Sequence, residues 1–140
     1  MSPRTANFRR QHQEINGLIT ELQRLISQDI EAKAEEIRAL LSQLIGRLKV
    51  HLATEDNVLY PAMLAAPDSQ VRGKTKEFME EMGALAEVLK EYSIRWSTSR
   101  VIKKEPLAFR EDSARILKQL TYRISREEEL LYPLADALAH

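Results

Sequence analysis

His51 and Glu55 stand four residues apart in HLATEDNVLYP, and Arg123 and Glu127 stand four apart in YRISREEELLYP. Four residues is about one turn of an α-helix, so each pair shares a face. An imidazole and a carboxylate on one face can reach a single ion together, and both are ordinary ligands of zinc, iron and manganese. One further histidine, His12, lies upstream. There are no cysteines, which excludes thiolate ligands, disulfides and a cysteine nucleophile. The two stretches align on a shared Leu-Tyr-Pro, which sets Glu127 opposite Glu55 and Arg123 opposite His51. One copy carries a potential ligand where the other carries a fixed cation.

Whether these residues meet depends on the elements that hold them. Phe8, Ile15, Ile19, Leu22 and Ile26 recur in steps of three and four, with His12 in the missing slot. A second run passes through Ile37, Leu41, Leu44 and Leu48 to His51, Glu55 and Val58. The third is Val71, Thr75, Phe78, Met82, Leu85, Leu89, Tyr92 and Trp96, with Met79 also read as core. The fourth is Phe109, Ser113, Ile116 and Leu120, then Arg123, Glu127, Leu130 and Leu134. Each is the apolar seam of an amphipathic helix.

The punctuation fits this periodicity. Ser2 and Pro3 form a plausible helix start, and Asp29 a cap for the second helix. AAPDSQ and STSRVIKKEP separate the later helices, with RVIKKE read as a small solvated basic loop and Pro106 opening the fourth helix. Pro61 and Pro133 are expected to end or kink their helices just after Tyr60 and Tyr132. Short connections make successive helices antiparallel, so the expected fold is all-α, an up-down-up-down four-helix bundle. It forms one domain over residues 1–140, built from helical hairpins of about 1–67 and 68–140.

Five seam positions break the apolar rule: His12, His51, Glu55, Arg123 and Glu127. A charged side chain on a seam is costly unless it is paired or bound to metal. In an antiparallel bundle the start of helix one and the ends of helices two and four share one end, so the five fall in one layer, with Met82 at the same height. Tyr60 and Tyr132 are placed to donate hydrogen bonds to this layer or to cap the bundle end.

Composition narrows the function classes. The 21 basic and 21 acidic residues balance, which removes any electrostatic case for nucleic acid or an anionic membrane. The N-terminal stretch lacks an apolar signal core and no apolar run approaches a membrane span, so a cytoplasmic location is expected. No phosphate-binding glycine loop or nucleophile elbow is present, which leaves the same His and Glu residues as the acid–base candidates for an enzyme, the weakest of the readings.

The histidine in helix one, HLATEDNVLYP in helix two and REEELLYP in helix four together resemble the hemerythrin-like (HHE cation-binding) family over nearly the whole chain. The resemblance implies a four-helix bundle holding two irons with terminal histidines and two bridging carboxylates. His12 and His51 match the histidines of one iron, and Glu55 and Glu127 the bridges. The second iron's histidines fall on Met82 and Arg123, neither of which is histidine. This degenerate pattern argues against a two-iron, oxygen-carrying centre. A thioether at Met82 suits copper(I) better than an iron or zinc carboxylate site. Two readings remain. In one, His12, His51, Glu55 and Glu127 hold a single Fe, Mn or Zn ion in a sensing or binding role. In the other, the bundle is a metal-free interaction or regulatory protein in which Arg123 pairs with Glu55 and Glu127, with a protonated histidine completing a neutral buried network. The sequence names no protein partner and no oligomeric state.

Overall fold

The computed structural model describes residues 5–138. Long helices dominate: α1 (Ala6–Ile26), α2 (Ile30–Thr54), α4 (Ser69–Arg95) and α6 (Pro106–Arg126). Two short helices, α3 (Tyr60–Leu64) and α7 (Tyr132–Ala137), extend α2 and α6 through wide turns, and α5 (Ser99–Lys104) bridges α4 and α6. There is no β-strand among the described residues, and the fold is an all-α bundle. The helices α1 and α2, α2 and α4, α4 and α6, and α6 and α1 pack as neighbours around a common core. None of the described helices is long and apolar enough to cross a membrane.

Local chemistry sets the ends. Asp29 accepts a hydrogen bond from the Ala32 amide at 3.3 Å, and Asp68 from the Gln70 amide at 2.8 Å, satisfying amides that a helix start leaves free. The Ser2–Pro3 start lies outside the described residues, as does His140; α1 begins at Ala6 behind Thr5. RVIKKE is not the loop expected. Thr98 accepts from the Val101 amide at 3.3 Å and opens a six-residue helix that buries Ile102 against the core. Lys103 and Lys104 stay on its outer face, and Lys103 reaches Glu35 at 2.5 Å.

The seams hold over most of their length. Every third-seam residue from Val71 to Trp96 is buried, although Met79 is 37% exposed and does not belong to the core. The exceptions follow from the wide turns. Glu55–Leu59 and Glu127–Leu131 are π-helical, with the Tyr60 amide bonding to the Glu55 carbonyl and the Tyr132 amide to the Glu127 carbonyl. A proline ring collides with the carbonyl four residues back and offers no N–H, and a widened turn ahead of it relieves both problems. Pro61 and Pro133 therefore neither end nor break the helices; each sits in the first turn of the segment that continues.

The widened turn also moves the seam by one residue. Val58 and Leu130 face solvent at 58% and 47% exposure, while Leu59 and Leu131 are buried in their place. Likewise Arg123 is not on the seam. Ile124 is buried instead, and the Arg123 side chain remains 26% exposed. Steps of three or four from Leu120 fit both positions, and the desolvation cost of a guanidinium decides between them.

Two apolar clusters result. The larger spans most of the bundle, from Ile15, Leu48 and Ile124 downward; the smaller, with Phe8, Leu59, Tyr60, Phe78, Leu131 and Tyr132, closes one end. Along α1, α2 and α6 the polar residues His12, His51, Glu55 and Glu127 fall between them. Truncating Ile124 to alanine should cost about 2–5 kcal/mol of stability, against about 1 kcal/mol or less for Arg123→Ala. Denaturant unfolding of the two variants checks this, and equal losses would contradict the seam described.

Candidate metal centre

α1 supplies His12, the last turn of α2 supplies His51, and the two wide turns supply Glu55 and Glu127 as their opening residues. All four are buried, none more than 1% exposed. One donor atom from each lies within 4.8 Å of every other. His12 Nε2 stands 3.0 Å from His51 Nε2 and 2.9 Å from Glu127 Oε1. His51 Nε2 stands 3.2 Å from Glu55 Oε2 and 3.3 Å from Glu127 Oε1.

The outer ring nitrogens are fixed by partners that sequence periodicity did not reveal. His12 Nδ1 donates to Glu128 Oε1 at 2.8 Å, and His51 Nδ1 donates to the Gln11 side-chain oxygen at 2.7 Å. With Nδ1 as the donor, the lone pairs of both neutral rings reside on Nε2 and converge, the tautomer a metal ligand requires. Glu128 is itself held: Arg9 Nη1 donates to its Oε2 at 2.6 Å while Arg9 Nη2 donates to Asp136 Oδ2 at 3.3 Å, and Thr5 donates to Asp136 through its amide and hydroxyl at 3.1 and 2.9 Å. Arg9 is therefore half-buried in a network that ties the start of α1 to α7. The signal for Glu128 and Gln11 was adjacency to Glu127 and His12, which a search at helical spacing passes over.

Tyr132 is not a lid but a member of the cluster. Its hydroxyl donates to Glu55 Oε2 at 2.8 Å and lies 3.0 Å from His12 Nε2. Tyr60, its counterpart, is equally buried, yet its hydroxyl has no hydrogen-bond partner among the described residues, nor do Glu55 Oε1 and Glu127 Oε2. Two carboxylates thus keep one oxygen each on the His12–His51 side and leave the other unpaired.

The electrostatics of the metal-free cluster follow from crowding. Burial alone would lower the His51 pKa, but hydrogen bonds with Glu127 and Glu55 overcome it and carry the ring up to about 9. Burial raises Glu55 most strongly, His51 pulls it back, and sharing with Glu127 adds to the rise, leaving it at about 8. Burial also opposes ionisation of Glu127, yet hydrogen bonds from His12 and His51 outweigh it and hold this carboxyl below its ordinary range. Near neutral pH the cluster thus holds an imidazolium, a neutral carboxyl and a carboxylate, with protons standing where a cation could.

On the opposite side, Met82 is buried among apolar neighbours and Arg123 turns away. Arg123 Nη1 pairs with Glu81 Oε2 at 2.5 Å, with its guanidinium 5.3 Å from the Tyr122 ring. The expected pairing of Arg123 with Glu55 and Glu127 is not formed, since a half-exposed partner spares the guanidinium full desolvation. The donor set of two imidazole nitrogens and two carboxylate oxygens on the His12–His51 side suits one ion. The second position offers a thioether and an engaged guanidinium, and does not suit another.

The family model for the hemerythrin HHE cation binding domain matches residues 4–135. The chain belongs to the hemerythrin family. No curated protein and no solved structure matches it. In this hemerythrin domain the cluster of His12, His51, Glu55 and Glu127 could hold a metal ion.

Two outcomes are expected. Glu128→Gln should weaken metal binding by about 10–100-fold, since partners of ligating histidines tune them to that extent; titration with a competing chelator measures it, and unchanged affinity would contradict the role. The second concerns pH. A His51 pKa raised from 6.5 to about 9 gives stability that is complete below pH 6.5 and lost as pH rises through 9, and the raised Glu55 acts in the same sense. The lowered Glu127 contributes above the carboxylate range and is lost toward acid. Chelator-treated protein should therefore melt lower at pH 9 than at pH 6, while metal affinity rises over the same interval; a flat melting profile would contradict the charge state described.

Proposed function

We propose that this hemerythrin domain binds one metal ion, iron or alternatively manganese or zinc, through His12, His51, Glu55 and Glu127, and serves in sensing or binding rather than oxygen carriage. The observation that carries the reading is the convergence of four buried donor atoms within 4.8 Å of one another. The asymmetry supports a single ion. One side has both histidines and the other has Met82 and Arg123, the latter committed to Glu81.

The chain's own residues set what such an ion would meet. Glu128 and Gln11 orient the two rings, Phe8 stacks edge-on against His51 with ring centres 6.1 Å apart, and the apolar end cluster keeps water from the layer. A bound ion supplies a Lewis-acidic centre and, if iron, a redox-active one. Reversible oxygen carriage of the family's two-iron kind needs a second liganded ion, for which this chain lacks the histidines. The metal-free alternative loses its main support, because it needs Arg123 against Glu55 and Glu127.

Freshly purified protein loaded anaerobically with ferrous ion should retain about one equivalent, and His51→Ala should lose it. Two equivalents, or a stoichiometry indifferent to His51, would contradict the site as drawn. Met82→Ala should leave the single equivalent in place.

A further inference from the structure

The phenol oxygen of Tyr132 is in reach of all four donor atoms at once. It lies 2.8 Å from Glu55 Oε2, 3.0 Å from His12 Nε2, 3.4 Å from His51 Nε2 and 3.4 Å from Glu127 Oε1. A phenol has one proton and can satisfy only one of the two carboxylates. Simple hydrogen bonding explains the contact with Glu55 and leaves the Glu127 contact without a proton. The spacings have a second meaning. Ligands bound at about 2.0–2.2 Å stand roughly 3 Å apart where their bonds meet at right angles, and somewhat more at wider angles. The separations among the four cluster atoms, 2.9 to 3.3 Å for those in contact, fall in that range, and so do those to Tyr132.

We propose that Tyr132 is a fifth ligand, its phenolate oxygen joining His12, His51, Glu55 and Glu127 around a hard trivalent cation, ferric iron. This rests on the metal reading given above. Charge supports the choice of oxidation state. Two carboxylates and a phenolate supply three negative charges, and two neutral imidazoles add none, so a trivalent ion leaves this dry layer neutral. Around a divalent ion the same neutrality keeps Tyr132 as a phenol, donating to Glu55 as in the metal-free geometry. Coordination exchanges the O–H bond for a metal–oxygen bond, the proton leaves to solvent, and no electron moves.

The backbone explains why Tyr132 can serve. In an α-helix a residue five positions on points well away from its predecessor, about 140° around the axis. The π-turn bonds the Tyr132 amide to the Glu127 carbonyl and returns Tyr132 to the face of Glu127. His12 also stacks on the Tyr132 ring, with centres 5.1 Å apart, and the Arg9 guanidinium lies over the ring 5.3 Å from its centre, so packing against the ring fixes the phenol. Tyr60 occupies the matching place in the other half, but its hydroxyl makes no contact with a donor.

The test has two stages. Protein is first loaded with ferrous ion and its iron counted, then oxidised with one equivalent of ferricyanide, desalted and examined by visible absorption and resonance Raman. The expected result is bound iron with a phenolate-to-iron charge-transfer band carrying tyrosine ring vibrations, kept in Tyr60→Phe and lost in Tyr132→Phe with iron retained. If iron is retained but wild-type protein shows no such band, Tyr132 is not a ligand, although the four-residue site stands. If the band survives in Tyr132→Phe, the assignment is overturned. If no ferrous ion binds at all, the metal reading fails and this inference with it. The wild-type spectrum decides the matter even if the substituted protein does not fold.

Discussion

Two imidazole nitrogens 3.0 Å apart, with two carboxylate oxygens beside them and no water-exposed surface, cannot be left as bare lone pairs. Something positive must stand among them. Without metal, protons do so, which is why His51 is held charged and Glu55 neutral against their ordinary tendencies. Much of the surrounding architecture serves this requirement. The polar layer is sealed between two apolar clusters, and that burial both raises the cost of an uncompensated charge and sharpens the preference for a cation.

The periodic part of this arrangement was legible in the sequence. The seams of α1, α2 and α4 follow from apolar spacing, and polar residues on an apolar seam single themselves out because burial without a partner is costly. His12, His51, Glu55 and Glu127 come together for that reason. The wide turns were not legible as such. Tyr-Pro announced a disturbance at each site but not its form, and inserting one residue into the helical register exchanges Val58 for Leu59 and Leu130 for Leu131. Arg123 was misread by a related ambiguity. Steps of three or four from Leu120 are equally regular, and solvation of the guanidinium, which a pattern does not weigh, selects Ile124. Glu128 and Gln11 lie beside ligands rather than a turn away, so no period points to them.

The two halves share a Leu-Tyr-Pro, a π-turn and a glutamate, and then diverge. Around the two glutamates, one side of the layer gathers His12 and His51 from the first hairpin and Tyr132 from the second. The other has Met82, buried, and Arg123, turned outward to Glu81, in place of histidines, and the Tyr60 hydroxyl there has no hydrogen-bond partner among the described residues. The substitutions are consistent with each other, since an arginine left facing two carboxylates would have competed with any ion they held. By pairing at the rim instead, Arg123 leaves the negative charge of the layer available.

The most direct test of the central claim, one ion on the histidine side and none on the other, is X-ray absorption at the iron edge of the loaded protein. A single shell of nitrogen and oxygen scatterers with the outer-shell pattern of two imidazoles is the predicted result. A metal–metal scatterer near about 3.5 Å, as paired-metal sites show, or a shell without imidazole, would contradict it.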